Sequence, residues 1–197
     1  TLGASNVDRW NFMAGTAVWG QMSGNNQFAR TRGTGTNALA SISTWGGGNL
    51  IVGLEDDSTA RTQTLDGDIY FLNGASSARM LQGKTLTLGA AARTLTRRSG
   101  ATMAFYEDGT GAINISAASL TTTAGEFLAP WAVYGNSTTG VTDWAGRQGT
   151  TGVQAFTGYA ENTFGAGSHT NLTSATVLTG NETTDTLRFG GALELDI

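Results

Sequence analysis

Apolar residues alternate with polar ones over residues 85–118, in four short runs: Thr85-Leu-Thr-Leu-Gly89, Thr94-Leu-Thr-Arg97, Thr102-Met-Ala-Phe-Tyr106 and Ala112-Ile-Asn-Ile-Ser116. A period of two places every second side chain on one face, so each run predicts a strand with one buried side. Gly89, Gly100, Gly109 and Gly111 punctuate them. Asn49-Leu-Ile-Val-Gly53, Asp68-Ile-Tyr-Phe-Leu72 and Leu193-Glu-Leu-Asp-Ile197 carry the same signal. The last run alternates up to residue 197, so it is expected to continue, either covalently into further modules or by strand pairing with another subunit.

Strands recurring at such short intervals suit a sandwich, a barrel or the faces of a β-solenoid. Asn73-Gly74, Asp66-Gly67 and Asp108-Gly109 qualify as tight hairpin turns. Most other breaks are Gly-Ala, Gly-Gly or Ser/Thr clusters, which bend a chain without reversing it. Abundant glycine and threonine among short strands favour a right-handed parallel β-helix, each coil buried by its neighbours. Residues 125–175, with Pro130, Trp131, Tyr134, Trp144, Phe156 and Tyr159, predict an aromatic-rich flap.

An internal echo gives that flap a partner. Val7, Trp10, Gly15, Thr16, Thr36 and Asn37 recur as Val141, Trp144, Gly149, Thr150, Thr170 and Asn171, each pair 134 positions apart, as at 10 and 144. Self-similarity at a fixed period is the mark of a repeat architecture. The expected organisation is one continuous domain: a flap over 1–40, solenoid coils over 41–124, a second flap over 125–175 and the next coils from 176 to 197.

Composition narrows the function. With 39% hydrophobic and 13% charged residues the chain has the apolar surface to fold. A net charge of −4 lacks the basic face that nucleic-acid phosphates require. There is no cysteine, so neither disulfides nor thiol chemistry enter. No run approaches the roughly 20 apolar residues of a membrane-spanning helix.

The motifs with chemical meaning are weak. Ala78-Arg-Met-Leu-Gln-Gly83-Lys84-Thr85 fits a relaxed phosphate loop, but a strand pattern follows Lys84 where such a loop needs a helix. Lys84, the only lysine, is expected to be solvated at a turn. Gly33-Thr-Gly35-Thr-Asn-Ala38 reads as a glycine-rich loop, and His169, the only histidine, as a loop residue. Among carboxylates, Glu55-Asp56-Asp57, Glu107-Asp108 and the i, i+2 pair Asp66 and Asp68 are candidates. On a strand Asp66 and Asp68 would share a face and could supply half of a calcium site. Trp19, Trp45, Trp131 and Trp144 serve either as core or as a stacking platform for sugars, with packing the expectation, and Trp10, Trp131, Trp144, Phe156 and Tyr159 are expected as structural aromatics.

The runs Phe127-Leu-Ala-Pro-Trp131-Ala-Val-Tyr-Gly135, Thr142-Asp-Trp144-Ala and Gly152-Val-Gln-Ala-Phe156-Thr-Gly-Tyr159 resemble the recurring module of giant bacterial secreted proteins with autotransporter-associated β-strand repeats. Asn171-Leu-Thr and Thr183-Thr-Asp-Thr-Leu187-Arg-Phe-Gly-Gly191 extend the likeness, which is best over residues 80–197. The resemblance implies an extracellular, non-catalytic β-solenoid of an adhesin, surface coat or fibre, and carries no catalytic residue. Partners would be adjacent modules or further copies stacked end to end, and surface glycans. A polysaccharide-binding or polysaccharide-degrading β-helix module and a viral tail-fibre segment are the alternatives.

Overall fold

The computed structural model describes residues 9–19, 42–53, 59–89, 93–178 and 180–190, and the backbone of 195–196. They fall into two units, Thr1–Ala155 and Phe156–Ile197.

In the first unit, β1 (Arg9–Phe12), β3 (Ile42–Trp45), β6 (Ile69–Phe71) and β9 (Leu95–Arg97) form a parallel four-stranded sheet in that order. The remaining strands build one ten-stranded sheet. Its first arm is parallel: β2 (Thr16–Trp19), β4 (Asn49–Val52), β7 (Gly74–Leu81), β10 (Ala101–Asp108) and β12 (Ala132–Asn136). Its second arm, β11 (Ala112–Ile115), β8 (Lys84–Leu88) and β5 (Arg61–Leu65), is also parallel. Between the arms run β13 (Gly140–Gln148) and β14 (Gly152–Ala155), antiparallel to β12, to each other and to β11.

That antiparallel segment overturns the expected right-handed parallel β-helix. The chain is all-β, but its main sheet is mixed and curled, with order β2-β4-β7-β10-β12-β13-β14-β11-β8-β5. The physical reason is that period-2 alternation fixes which side chains are buried and leaves the direction of pairing open. The reversals come from turns the composition had read as bends. Gly140 and Gly149 take left-handed φ values of 71° and 57°, closing β12 onto β13 and β13 onto β14. Conversely, Asn73-Gly74 and Asp108-Gly109, read as hairpins, turn corners: β6 and β7 lie in different sheets, and β10 and β11 in different arms.

Alternation places the core as expected. Leu50, Ala78 and Phe105 stack in register across β4, β7 and β10, and Leu65, Leu88 and Ile115 across β5, β8 and β11, all fully buried. Each such leucine, isoleucine or phenylalanine contributes roughly 1.5–3 kcal/mol by leaving water. Phe12 stacks on Trp45 with ring centroids 4.2 Å apart, and Phe71 meets Trp131 at 4.9 Å.

Two ionic side chains are also interior. Lys84 is completely buried and donates to the carbonyls of Thr59 and Gln82, which corrects the expectation of a solvated turn lysine. On β8, beside Arg61 of β5, it shares the inward parity of Leu86 and Leu88. Arg147 on β13 donates to the carbonyls of Thr121, Ile115 and Thr151 at 2.8, 2.8 and 2.7 Å, pinning the segment after β11 to the antiparallel strands.

In the second unit, β15 (Ala160–Glu161), β16 (His169–Leu172) and β18 (Thr186–Phe189) are parallel, as are β17 (Thr176–Val177) and β19 (Leu195–Asp196). Phe156 is buried with Tyr159 and His169 edge-on at 4.8 and 4.9 Å. His169 is thus a strand residue rather than a loop one, with Nδ1 3.0 Å from the Thr186 hydroxyl.

The echo falls on differently paired strands. Trp10 lies on β1, parallel to β3, and Trp144 on β13, antiparallel to its neighbours. Gly15 and Gly149 share a left-handed backbone after those strands. Val7, Thr36 and Asn37 lie outside the described residues.

Candidate functional site

The same alternation that buries Ala78, Met80, Met103 and Phe105 turns Ser77, Arg79 and Leu81 of β7 and Tyr106 and Asp108 of β10 to the outer face. In the parallel register Arg79 lies beside Tyr106, and Asp108 beside Leu81. Arg79 Nε reaches diagonally to Asp108 Oδ2 at 2.5 Å, while its Nη2 donates to Ser137 Oγ at 2.7 Å. The Ser137 amide donates to Asp108 Oδ1 at 2.8 Å. These bonds hold the turn between β12 and β13 above the sheet.

The turn is also ordered from within. Asn136 Oδ1 accepts the amides of Thr138 and Thr139 at 2.9 and 2.8 Å, an Asx arrangement that folds the tip back on itself. Between the tip and the β10–β11 corner lies a cleft of about 820 Å³ lined by Arg79, Asp108, Thr110, Ser137 and Thr138 among others. A second hollow of about 360 Å³, lined by Asn49, Ser77 and Tyr106, shares Arg79 and Ser137 with it. Both border the hydrogen-bonded Arg79 and Ser137, so the two hollows are neighbours on the outer face of β4, β7 and β10 and together form the groove.

Glu107, next along β10, lies on the opposite face parity and borders the cleft from below. Its Oε1 accepts the Ile113 amide at 2.6 Å and its Oε2 the Tyr134 hydroxyl at 3.1 Å. Burial pushes its pKa up to about 7, outweighing both hydrogen bonds, which favour the ionised form. Burial and the facing Glu107 raise the Tyr134 phenol to about 12. Asp108 moves the other way: burial would raise its carboxyl, but the Ser137 and Arg79 donors outweigh it and hold the pKa below the usual carboxylate value.

Both Asp108 oxygens and both Glu107 oxygens therefore have protein donors. The groove is left with hydroxyls, amides, one guanidinium edge and the Tyr106 ring. Such a surface can hydrogen-bond and stack, and its charges nearly cancel.

The residues singled out from sequence lie elsewhere. Asp66 and Asp68 fall in the link between β5 and β6, not on a strand. Asp68 Oδ1 accepts the Thr94 amide at 3.0 Å, and the Asp66 carbonyl accepts Arg93 Nε at 2.9 Å. Among the described residues no three His, Cys, Asp or Glu side chains gather as a metal site. Glu55, Asp56 and Asp57, and the Gly33–Ala38 loop, lie outside the described residues. Trp19, Trp45 and Trp131 are buried. Trp10 is half-buried, edge-on to Trp19 at 5.1 Å, and Trp144 edge-on to Phe127 at 6.1 Å. Tyr106, the aromatic that does reach the groove, was missed; its outward parity in the run Thr102–Tyr106 was the available signal.

The chain matches no family model, no curated protein and no solved structure. No helix among the described residues is long and apolar enough to cross a membrane.

Proposed function

We propose that the chain is a non-catalytic structural module of an extracellular bacterial surface protein, an adhesin or fibre element, as its resemblance to autotransporter-associated repeats implies. The observation that carries this reading is the placement of its long polar side chains. Lys84 and Arg147 bind backbone carbonyls inside the sheet, and Asp68, Glu107 and Asp108 accept backbone amides. These groups brace strand connections rather than converge on an open reacting centre. The parallel ladders from β2 through β12 supply a main-chain network suited to bearing load. Association with adjacent modules or further copies would use sheet edges such as β1 and β9, each with a single partner strand among the described residues.

One observation favours the alternative, a polysaccharide-degrading module: Glu107, with a pKa near 7, borders a cleft and is tuned as a general acid would be. Electron microscopy of the purified chain and a depolymerisation screen decide between them. Filaments or end-to-end oligomers without turnover support the structural reading. Reproducible cleavage of a polysaccharide, lost in Glu107→Gln, overturns it.

A further inference from the structure

We infer that the groove formed by Arg79, Tyr106 and the 136–139 turn is a binding site for a neutral saccharide chain. The inference goes beyond the structural reading and does not depend on it.

Four properties of the groove select this ligand. First, its charge is nearly balanced, because the Arg79 guanidinium is paired with Asp108 at 2.5 Å. An isolated cation that would draw a phosphate or a uronate is absent from this pairing, and the chain's only lysine is buried on β8. Second, the strands beneath are paired on both sides, β7 between β4 and β10, and β10 between β7 and β12. Neither β7 nor β10 has a free edge, so an extended peptide could not add a strand to either of them. Recognition must come from side chains.

Third, those side chains suit vicinal hydroxyls. The Ser137 hydroxyl is held between Arg79 and Asp108 and orients the turn, while Asn136 keeps its amide NH2 because only its carbonyl oxygen caps the turn. Thr110 and Thr138 are exposed on opposite walls. The Tyr106 ring, half-buried between Arg79 and Gly135 in the strand register, offers an apolar face of the size on which a pyranose ring stacks. Fourth, the hollows of about 820 and 360 Å³ both border the bonded Arg79 and Ser137, so the Tyr106 hollow and the turn cleft are neighbours, as the subsites of a chain are. Their size falls in the range of small-ligand sites.

The donors are fixed before any ligand arrives. Arg79, Asp108 and Ser137 lock one another, and Asn136 locks the turn, so little side-chain freedom is lost on binding.

The test uses the whole 197-residue chain. Neutral gluco-, xylo-, manno- and galacto-oligosaccharides, with an oligogalacturonate as the acidic arm, are titrated by calorimetry and by backbone amide NMR. At least one neutral oligosaccharide is expected to saturate the protein and to shift the amides of Tyr106–Thr110 and Ser137–Thr139. Tyr106→Ala is expected to weaken binding about tenfold or more, the loss typical of a central contact. Thr138→Ala, at an exposed turn tip that does not support the sheet, is expected to weaken it less, and Thr102→Ala, exposed on β10 outside the groove, not at all. Failure of every neutral probe to bind overturns the inference. So does a preference for oligogalacturonate, shifts confined to other residues, or affinity unchanged in both Tyr106→Ala and Thr138→Ala. Shortening of a bound neutral probe would support this site while overturning the non-catalytic reading, so the two proposals fail separately.

Discussion

Arg79 and Asp108 meet diagonally across β7 and β10, with Nε 2.5 Å from Oδ2, although the strand register places each beside a different residue. Their side chains are 29% and 17% exposed, so water screens the pair only in part. Ser137 completes the arrangement by bonding to both. This relationship fixes the β12–β13 turn over the sheet.

A double-mutant cycle on Arg79→Ala and Asp108→Ala is expected to give a coupling of about 1 kcal/mol, at the upper end for a partly exposed pair. Urea denaturation at low and high salt measures it. The coupling should shrink in salt, and additive single mutants would show the pair to be energetically idle.

Glu107 makes stability depend on pH. Its carboxyl titrates near 7 in the folded chain against 4.5 as its ordinary value. Between these values the unfolded chain ionises while the folded one keeps its proton. The contribution is therefore fully present below pH 4.5, falls as pH rises and levels off above about 7. Glu107→Gln keeps an acceptor for the Ile113 amide but cannot ionise. Relative to this variant, the native chain should lose stability between pH 4.5 and 7, by roughly 1–3 kcal/mol once solvent exposure is allowed for. Parallel pH profiles from thermal melts would sink the assignment. The depressed Asp108 carboxyl acts oppositely: its stabilisation is present above its ordinary value of 3.8 and is lost as pH falls below that.

Removing Arg147 should be costly. Arg147→Met removes a donor from the carbonyls of Thr121, Ile115 and Thr151, of which Thr151 keeps the Ile115 amide. A loss of about 1–3 kcal/mol is expected from chemical denaturation, the cost of leaving a buried acceptor unsatisfied. Hydrogen exchange should accelerate first at Gly125 and Leu128, whose amides bond to the Arg147 and Ala145 carbonyls.

Two glycines of one hairpin should respond differently to alanine. A Cβ on Gly135 would collide with the Gly140 carbonyl, which is backbone and cannot swing away. Gly140 itself has open space but a left-handed φ of 71°. Gly140→Ala is expected to cost about 1 kcal/mol through strain alone. Gly135→Ala should cost more, roughly 2–4 kcal/mol, because the strands must separate. Equal melting temperatures for the two variants would contradict the close approach.

The strands over residues 85–116 were readable because burial follows alternation: Leu86, Leu88, Met103, Phe105, Ile113 and Ile115 all face inward. The buried tryptophans were readable for the same reason, since large apolar rings leave water wherever a sheet face allows. Lys84 misled because composition treats a charge as a surface group, whereas its strand parity with Leu86 and Leu88 turns it inward, where backbone carbonyls receive it. Asp66 and Asp68 misled in the opposite sense: two positions apart they share a face only on a strand, and here the chain turns.

An all-β chain, its alternating strands and the identity of its core thus follow from local periodicity, which needs no knowledge of partners. Pairing direction and the site do not. The reversal at β12–β14 depends on backbone conformations at Gly140 and Gly149 and on which strand edges remain open when those residues fold. The groove depends on Arg79, Asp108 and Ser137, up to 58 positions apart, meeting only because parallel register and one hairpin bring them together. No local window of the sequence contains that distance.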